Sequence, residues 1–134
     1  MRDITVLVTA SGAPGTAALL RALRLNGERG VRIVGVDMSP QAIGRHFCDR
    51  FYVVPPGTDP AFADAVLDIV RRENIDAVLP QSSHDLQGLA DARERFMGTT
   101  VMVSPPDTIR TANDKAATYA LLERLGLRLS LIHI

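Results

Sequence analysis

Apolar residues follow two different spacings along this chain. Runs of strand length occupy Ile4 to Val8, Val31 to Val36, Ala77 to Leu79 and Thr100 to Val103, with a shorter candidate at Phe51 to Val54. Between them apolar positions recur every three or four residues, the period of a helix with one buried face. Strands that are apolar throughout suit a sheet covered on both sides, and their alternation with helices predicts βαβ units. The predicted fold class is α/β, a Rossmann-like open parallel sheet of about five strands flanked by helices, with a C-terminal linker helix.

Turn chemistry sets the helix limits. The first helix opens at Pro14, keeps Leu19, Leu20 and Leu23 on one face and stops at Asn26-Gly27, a pair that accepts the left-handed backbone of a helix end. In the second, Asp59 is the N-cap and Pro60 the first residue, with Phe62, Ala65, Val66, Ile69 and Val70 in the buried stripe. Pro80 to His84 is expected to be a loop at a strand's carboxyl end, ahead of a helix carrying Leu86, Leu89 and Ala90. Ser104 is expected to cap a short helix starting at the two prolines that follow it. A last helix runs from Asp114 to about Leu125, closed by Gly126.

Composition narrows the partners. With 134 residues and 46% hydrophobic content the chain has enough material for one core. Fifteen basic and fifteen acidic residues cancel, so no long-range field draws in nucleic acid or an anionic membrane. No apolar run approaches the ~18 residues of a membrane span, and no signal-peptide core follows Met1, which predicts a cytoplasmic protein. The lone Cys48 has no internal disulfide partner. His46 and Cys48 are two soft ligands where a metal site needs three or four.

The richest local chemistry follows the first strand. Gly12, Ala13, Gly15 and Ala18 form a Gly-x-x-Gly-x-x-Ala turn from strand to helix, where bare main-chain N–H groups and the helix N-terminus suit an anion. Asp37 ends the second strand, where dinucleotide folds place an acid on a ribose hydroxyl. The plainer alternatives are a compact βα turn and an acid that caps its own loop. Ser82 and His84 lie at the rim where open sheets bind ligands, although Ser82 equally suits a helix cap. No hydrolase elbow, P-loop lysine or His-Glu-x-x-His zinc motif is present.

Taken in order, Val6 to Gly12, Val34 to Asp37 with Ser39-Pro40, Asp76 to Pro80, and Asn113-Asp114-Lys115 leading to Leu125-Gly126-Leu127 resemble the domain that precedes the ATP-grasp fold. The resemblance is to the carbamoyl-phosphate-synthase-like and biotin-carboxylase-like enzymes and covers residues 3 to about 127. It implies a Rossmann-like domain at 1–112 and a lead-in helix at 113–127. For a full-length protein it implies an ATP-dependent carboxylate-amine or carboxylate-thiol ligase working through an acyl phosphate, with ATP and Mg2+ held by lobes beyond this point. Such a domain binds neither tightly and is inactive alone. By the same resemblance Gly12, Ala13 and Gly15 face the substrate, a small carboxylate, and Lys115 serves ATP. Its partners would be the missing lobes of its own chain, with a homo-oligomer compatible.

After Leu127 the chain departs from that pattern. Residues 128–134, ending Leu-Ser-Leu-Ile-His-Ile, resemble translated sequencing-adapter read-through, so the tail is expected to be non-native, the gene a fragment and His133 without a role. Two other functions compete. An NAD(P)-binding short-chain-type oxidoreductase would use the glycine turn and Asp37, but Glu123 stands four residues after Tyr119 where such enzymes carry lysine. A free-standing small-ligand-binding module needs only the fold and its rim loops.

Overall fold

A computed structural model describes residues 1–127; the tail at 128–134, and what is expected of it, lies outside the described residues. Strands β1 (Ile4–Val8), β2 (Val31–Asp37), β3 (Arg50–Val53), β4 (Ala77–Leu79) and β5 (Thr100–Val101) form one sheet in the order β3-β2-β1-β4-β5, with every neighbouring pair parallel. The α/β expectation is borne out, including the strand number. The chain builds outward from β1 to β3 and then crosses back to β4. The carboxyl ends of β1 and β4 therefore flank the point where strand order reverses, the place where open α/β sheets leave a crevice.

Side-chain alternation along the strands sorts the core onto two faces. Val6, Val8 and Ile33 meet Leu20 of α1 (Thr16–Arg24) on one side. On the other, Leu7, Val34, Val36 and Val78 meet Phe62, Val66 and Val70 of α2 (Phe62–Glu73) and Leu89 of α3 (Ser83–Asp91). Helices α4 (Pro106–Asn113) and α5 (Lys115–Arg124) follow at the end, α4 against α3 and α5 against α4. Helix α5 buries none of its residues, and Tyr119 and Leu125 are exposed.

Helix ends differ from expectation where prolines and turns compete with caps. Helix α1 starts at Thr16, not Pro14, because Ala10 to Gly15 close their own turn, with Ala13 N–H donating to the Ala10 carbonyl at 2.9 Å. Asp59 closes a turn ahead of α2: its carboxylate accepts from Ala61 N–H at 2.8 Å and its carbonyl from Phe62 N–H at 3.0 Å, so the helix begins at Phe62. Ser83 and His84 already belong to α3, and Ser104 makes no cap to α4. Asp114 does cap α5, accepting from Ala116 and Ala117. At its other end Leu127 N–H donates to the Leu122 carbonyl and Gly126 N–H to that of Glu123, a Schellman closure around the positive φ of Gly126.

One close approach fixes the loop after β2. A 3-10 turn at Ile43–His46 lies on the end of β1, and a Cβ on Gly44 would stand 2.2 Å from the Ser11 carbonyl oxygen and 2.6 Å from Ser11 Cβ. The obstacle is largely main chain and cannot be relieved by a rotamer. Gly44→Ala should therefore cost about 1–3 kcal/mol in urea unfolding. Gly15→Ala, with nothing within 4 Å of the new methyl, should stay within about 0.5 kcal/mol of the parent.

Candidate functional site

Past its last residue, β1 turns through two buried hydroxyl residues. The Thr9 hydroxyl donates to Asp85 Oδ2 at 2.5 Å and accepts from Gln81 N–H at 3.3 Å, tying β1 to the loop after β4. Ser11 Oγ is buried with no hydrogen-bond partner among the described residues. Between them Ala10 takes a left-handed backbone, φ +45°, which costs a non-glycine residue on the order of 1–3 kcal/mol and persists only where the surroundings enforce it. Here the Ala10 carbonyl accepts from Ala13 N–H and from the Thr16 hydroxyl at 3.1 Å.

Asp37 joins this turn to the loop after β2. Its Oδ2 accepts from Gly12 N–H at 2.8 Å and its Oδ1 from Ser39 N–H at 2.9 Å. A Cβ on Gly12 would lie 3.1 Å from that Oδ2 and 2.9 Å from Ala42 Cβ, so a glycine is what lets the two loops meet. The main-chain donors of the turn are largely consumed internally: Ser11 N–H on the Val36 carbonyl, Gly12 on Asp37, Ala13 on Ala10, Thr16 on Ala13.

These loops border a cavity of about 310 Å3 at the strand-order reversal. Ala10, Asp37 and Met38 form one side, Val54 to Thr58 with Phe62 the second, and Ser82, His84 and Asp85 the third. Its wall is mostly apolar, with two carboxylates and an imidazole set into it. Asp85 is 6% exposed. Burial holds its carboxyl above the ordinary carboxylate range; the Thr9 hydroxyl opposes this, the Asp37 charge adds to it and His84 opposes it. The Pro55-Pro56-Gly57 loop closes over it, so tightly that a Cβ on Gly57 would stand 2.2 Å from Asp85 Oδ1.

Of the residues expected from sequence, Asp37, Ser82 and His84 meet in this cavity. Ser82 also caps α3, accepting from His84 N–H at 3.2 Å. Gly12 backs onto Asp37, while Ala13 and Gly15 lie further along the turn and outside the cavity wall. Lys115 is exposed on the first turn of α5, also outside it. Sequence reasoning missed Asp85 and the Val54 to Phe62 wall. The Ser82-x-x-Asp85 spacing of a capping box was a usable signal, but Asp85 turns to Thr9 instead of back to the Ser82 N–H. Cys48 is half-buried, and burial pushes its thiol up to about 11. No group of three or more His, Cys, Asp or Glu among the described residues could hold a metal ion, and no helix among them is long and apolar enough to cross a membrane.

A family model described as PylC-like, N-terminal domain, matches residues 6–103. The chain belongs to that family. This PylC-like domain also shares its fold with parts of larger chains. Glycinamide-RNase-transformylase T from Mycobacterium tuberculosis aligns at TM-score 0.73 and 21% identity, over 95% of this chain and 37% of that one. N5-carboxyaminoimidazole synthetase from Staphylococcus aureus, complexed with ADP, gives 0.67 and 14%, over 92% and 30%. The biotin carboxylase subunit of pyruvate carboxylase gives 0.67 and 17%, over 92% and 28%. The PylC-like chain thus spans about a third of the length of these three structures. A search of curated proteins finds no match. The pre-ATP-grasp resemblance is borne out, and nothing in these likenesses favours an oxidoreductase.

Thr9→Val should cost about 1–3 kcal/mol in urea unfolding, because Asp85 Oδ2 stays buried without its donor. The pH dependence has a definite sign. A folded-state carboxyl raised above its unfolded value binds a proton on folding, so its contribution to stability falls as pH rises from about 4 through the raised value. Asp85→Asn removes that slope. Thermal unfolding across this window should show the variant gaining on the parent as pH rises, and parallel curves would contradict the assignment.

Proposed function

We infer that this domain forms the substrate side of an ATP-dependent carboxylate-amine or carboxylate-thiol ligase and performs no reaction alone. Membership of the PylC-like N-terminal family across residues 6–103 carries the reading. It is supported by a cavity at the sheet's carboxyl edge that joins Asp37, Ser82 and His84, and by α5, which packs on α4 with none of its residues fully buried. The domain would end near residue 112, and 113–127 would lead into the ATP-binding lobes.

In that arrangement the apolar wall would hold the body of a small carboxylate substrate, while Asp37 with Gly12, Ala13 and Gly15 shapes the neighbouring turn. ATP supplies the phosphoryl group that activates the carboxylate. The cavity does not fit the nucleotide: among the described residues it is lined by two carboxylates and no lysine or arginine, a poor setting for a triphosphate, and those residues offer no Mg2+ ligand cluster. ATP and Mg2+ would therefore be held by the lobes beyond, with Lys115 reaching the nucleotide from the start of α5. A cytoplasmic location and a homo-oligomer accord with the balanced charge and the exposed apolar side chains.

The purified chain should form no ADP from ATP, whereas the protein extended through its ATP-binding lobes should release ADP only with a carboxylate present and yield a hydroxamate when hydroxylamine is supplied. Saturable NADH binding to the chain, read by fluorescence, would replace this reading with the oxidoreductase.

A further inference from the structure

One wall of the cavity is a strap, Pro55 to Thr58, that is tied down only at its ends. Val54 N–H donates to the Asp37 carbonyl at 3.0 Å before it, and the turn closed by Asp59 follows it. Between these anchors no main-chain hydrogen bond joins the strap to α3 among the described residues. Packing alone holds it there: a Cβ on Gly57 would collide with Asp85 Oδ1 and stand 2.7 Å from the His84 carbonyl oxygen. Two prolines fix φ in the first half of the strap, so that half moves as a body, and lifting it breaks no hydrogen-bond ladder.

The two oxygens of Asp85 have different surroundings. Oδ2 accepts the Thr9 hydroxyl at 2.5 Å, whereas Oδ1 faces Gly57 and has no donor among the described residues. An ionised Oδ1 needs water or a donor, and the Gly57 α-carbon that covers it offers at most a weak C–H contact. A protonated carboxyl tolerates that cover. The charged groups facing Asp85 are Asp37, from the loop after β2, which opposes a second negative charge, and His84 beside it on α3, which favours one. The end of β1 presents Thr9, and the strap side presents Val54, Pro55 and Phe62, none of them ionisable.

Resting on the substrate-side reading above for its purpose, we propose that the strap is a proton-coupled gate on the cavity, closed over the neutral Asp85 carboxyl and lifted from the carboxylate. The coupling is reciprocal. Closure strips water from Oδ1 and so favours the proton, and the proton favours closure to the same degree. Lifting removes Pro55 to Thr58 from the cavity wall, so the cavity opens as pH rises.

NMR spectra of the chain between about pH 4 and 8 test this by following the Asp85 carboxyl carbon, the His84 ring and the nuclear Overhauser contact between Gly57 and Asp85 protons. That contact should fade with the same midpoint as the Asp85 carboxyl. Asp85→Asn should keep it at every pH. Gly57→Ala, whose new methyl blocks closure, should lower the Asp85 midpoint by about one pH unit or more, a tenfold loss of proton affinity. A contact that persists while Asp85 titrates, or that follows His84 instead, overturns the gate. So does an unchanged midpoint in folded Gly57→Ala. None of these signals involves ATP or a substrate, so their failure leaves the ligase reading standing, and failure of hydroxamate formation leaves the coupling standing.

Discussion

A single carboxylate, that of Asp37, accepts main-chain N–H groups from loops that leave two different strands. Hydrogen bonds to a charged acceptor are worth about 1.5–3 kcal/mol each, enough to hold both loops in one geometry against their own freedom. The rest of the carboxyl edge follows from that clamp. Gly12 must lack a side chain to reach it, Ala42 closes behind Gly12, and Gly44 lies against Ser11. Ala10, forced into a left-handed turn, then presents its residue to the cavity beside the acid.

The same edge is held from the other side by Thr9 and Asp85. Their bond joins β1 to α3 across the point where strand order reverses, where two neighbouring strands send their connections to opposite sides. A buried polar pair there specifies the spacing of the crevice, and Gly57 allows the proline loop to seal it. The cavity is thus framed by main chain and fixed carboxylates. Such a frame favours discrimination among ligands by charge and shape.

Most of the fold was legible because it rests on period and turn chemistry. Ile4 to Val8 and Ala77 to Leu79 are strands at the expected limits, since runs buried on both faces leave little freedom of register. Asp114 and Gly126 bracket α5 by capping rules that act within a few residues. Errors arose where a local signal had a competitor. Pro14 and Asp59 can each start a helix, but each sits in a turn that closes first. In the site, Asp37 was legible as an acid at a strand end that caps its own loop, which its bond to Ser39 N–H bears out, but its hold on Gly12 across to the first loop was not. Asp85 was not, because its partner Thr9 lies 76 positions away and no sequence period connects the two.

Amide hydrogen exchange in Asp37→Ala tests the clamp most directly. If one carboxylate holds both loops, Gly12 and Ser39 should each exchange about tenfold faster or more, as expected for the loss of a charged acceptor, while Leu7 and Val78 in the central strands keep their protection. Unchanged exchange at Gly12 and Ser39 would show that the loops hold themselves and that Asp37 does not organise the site.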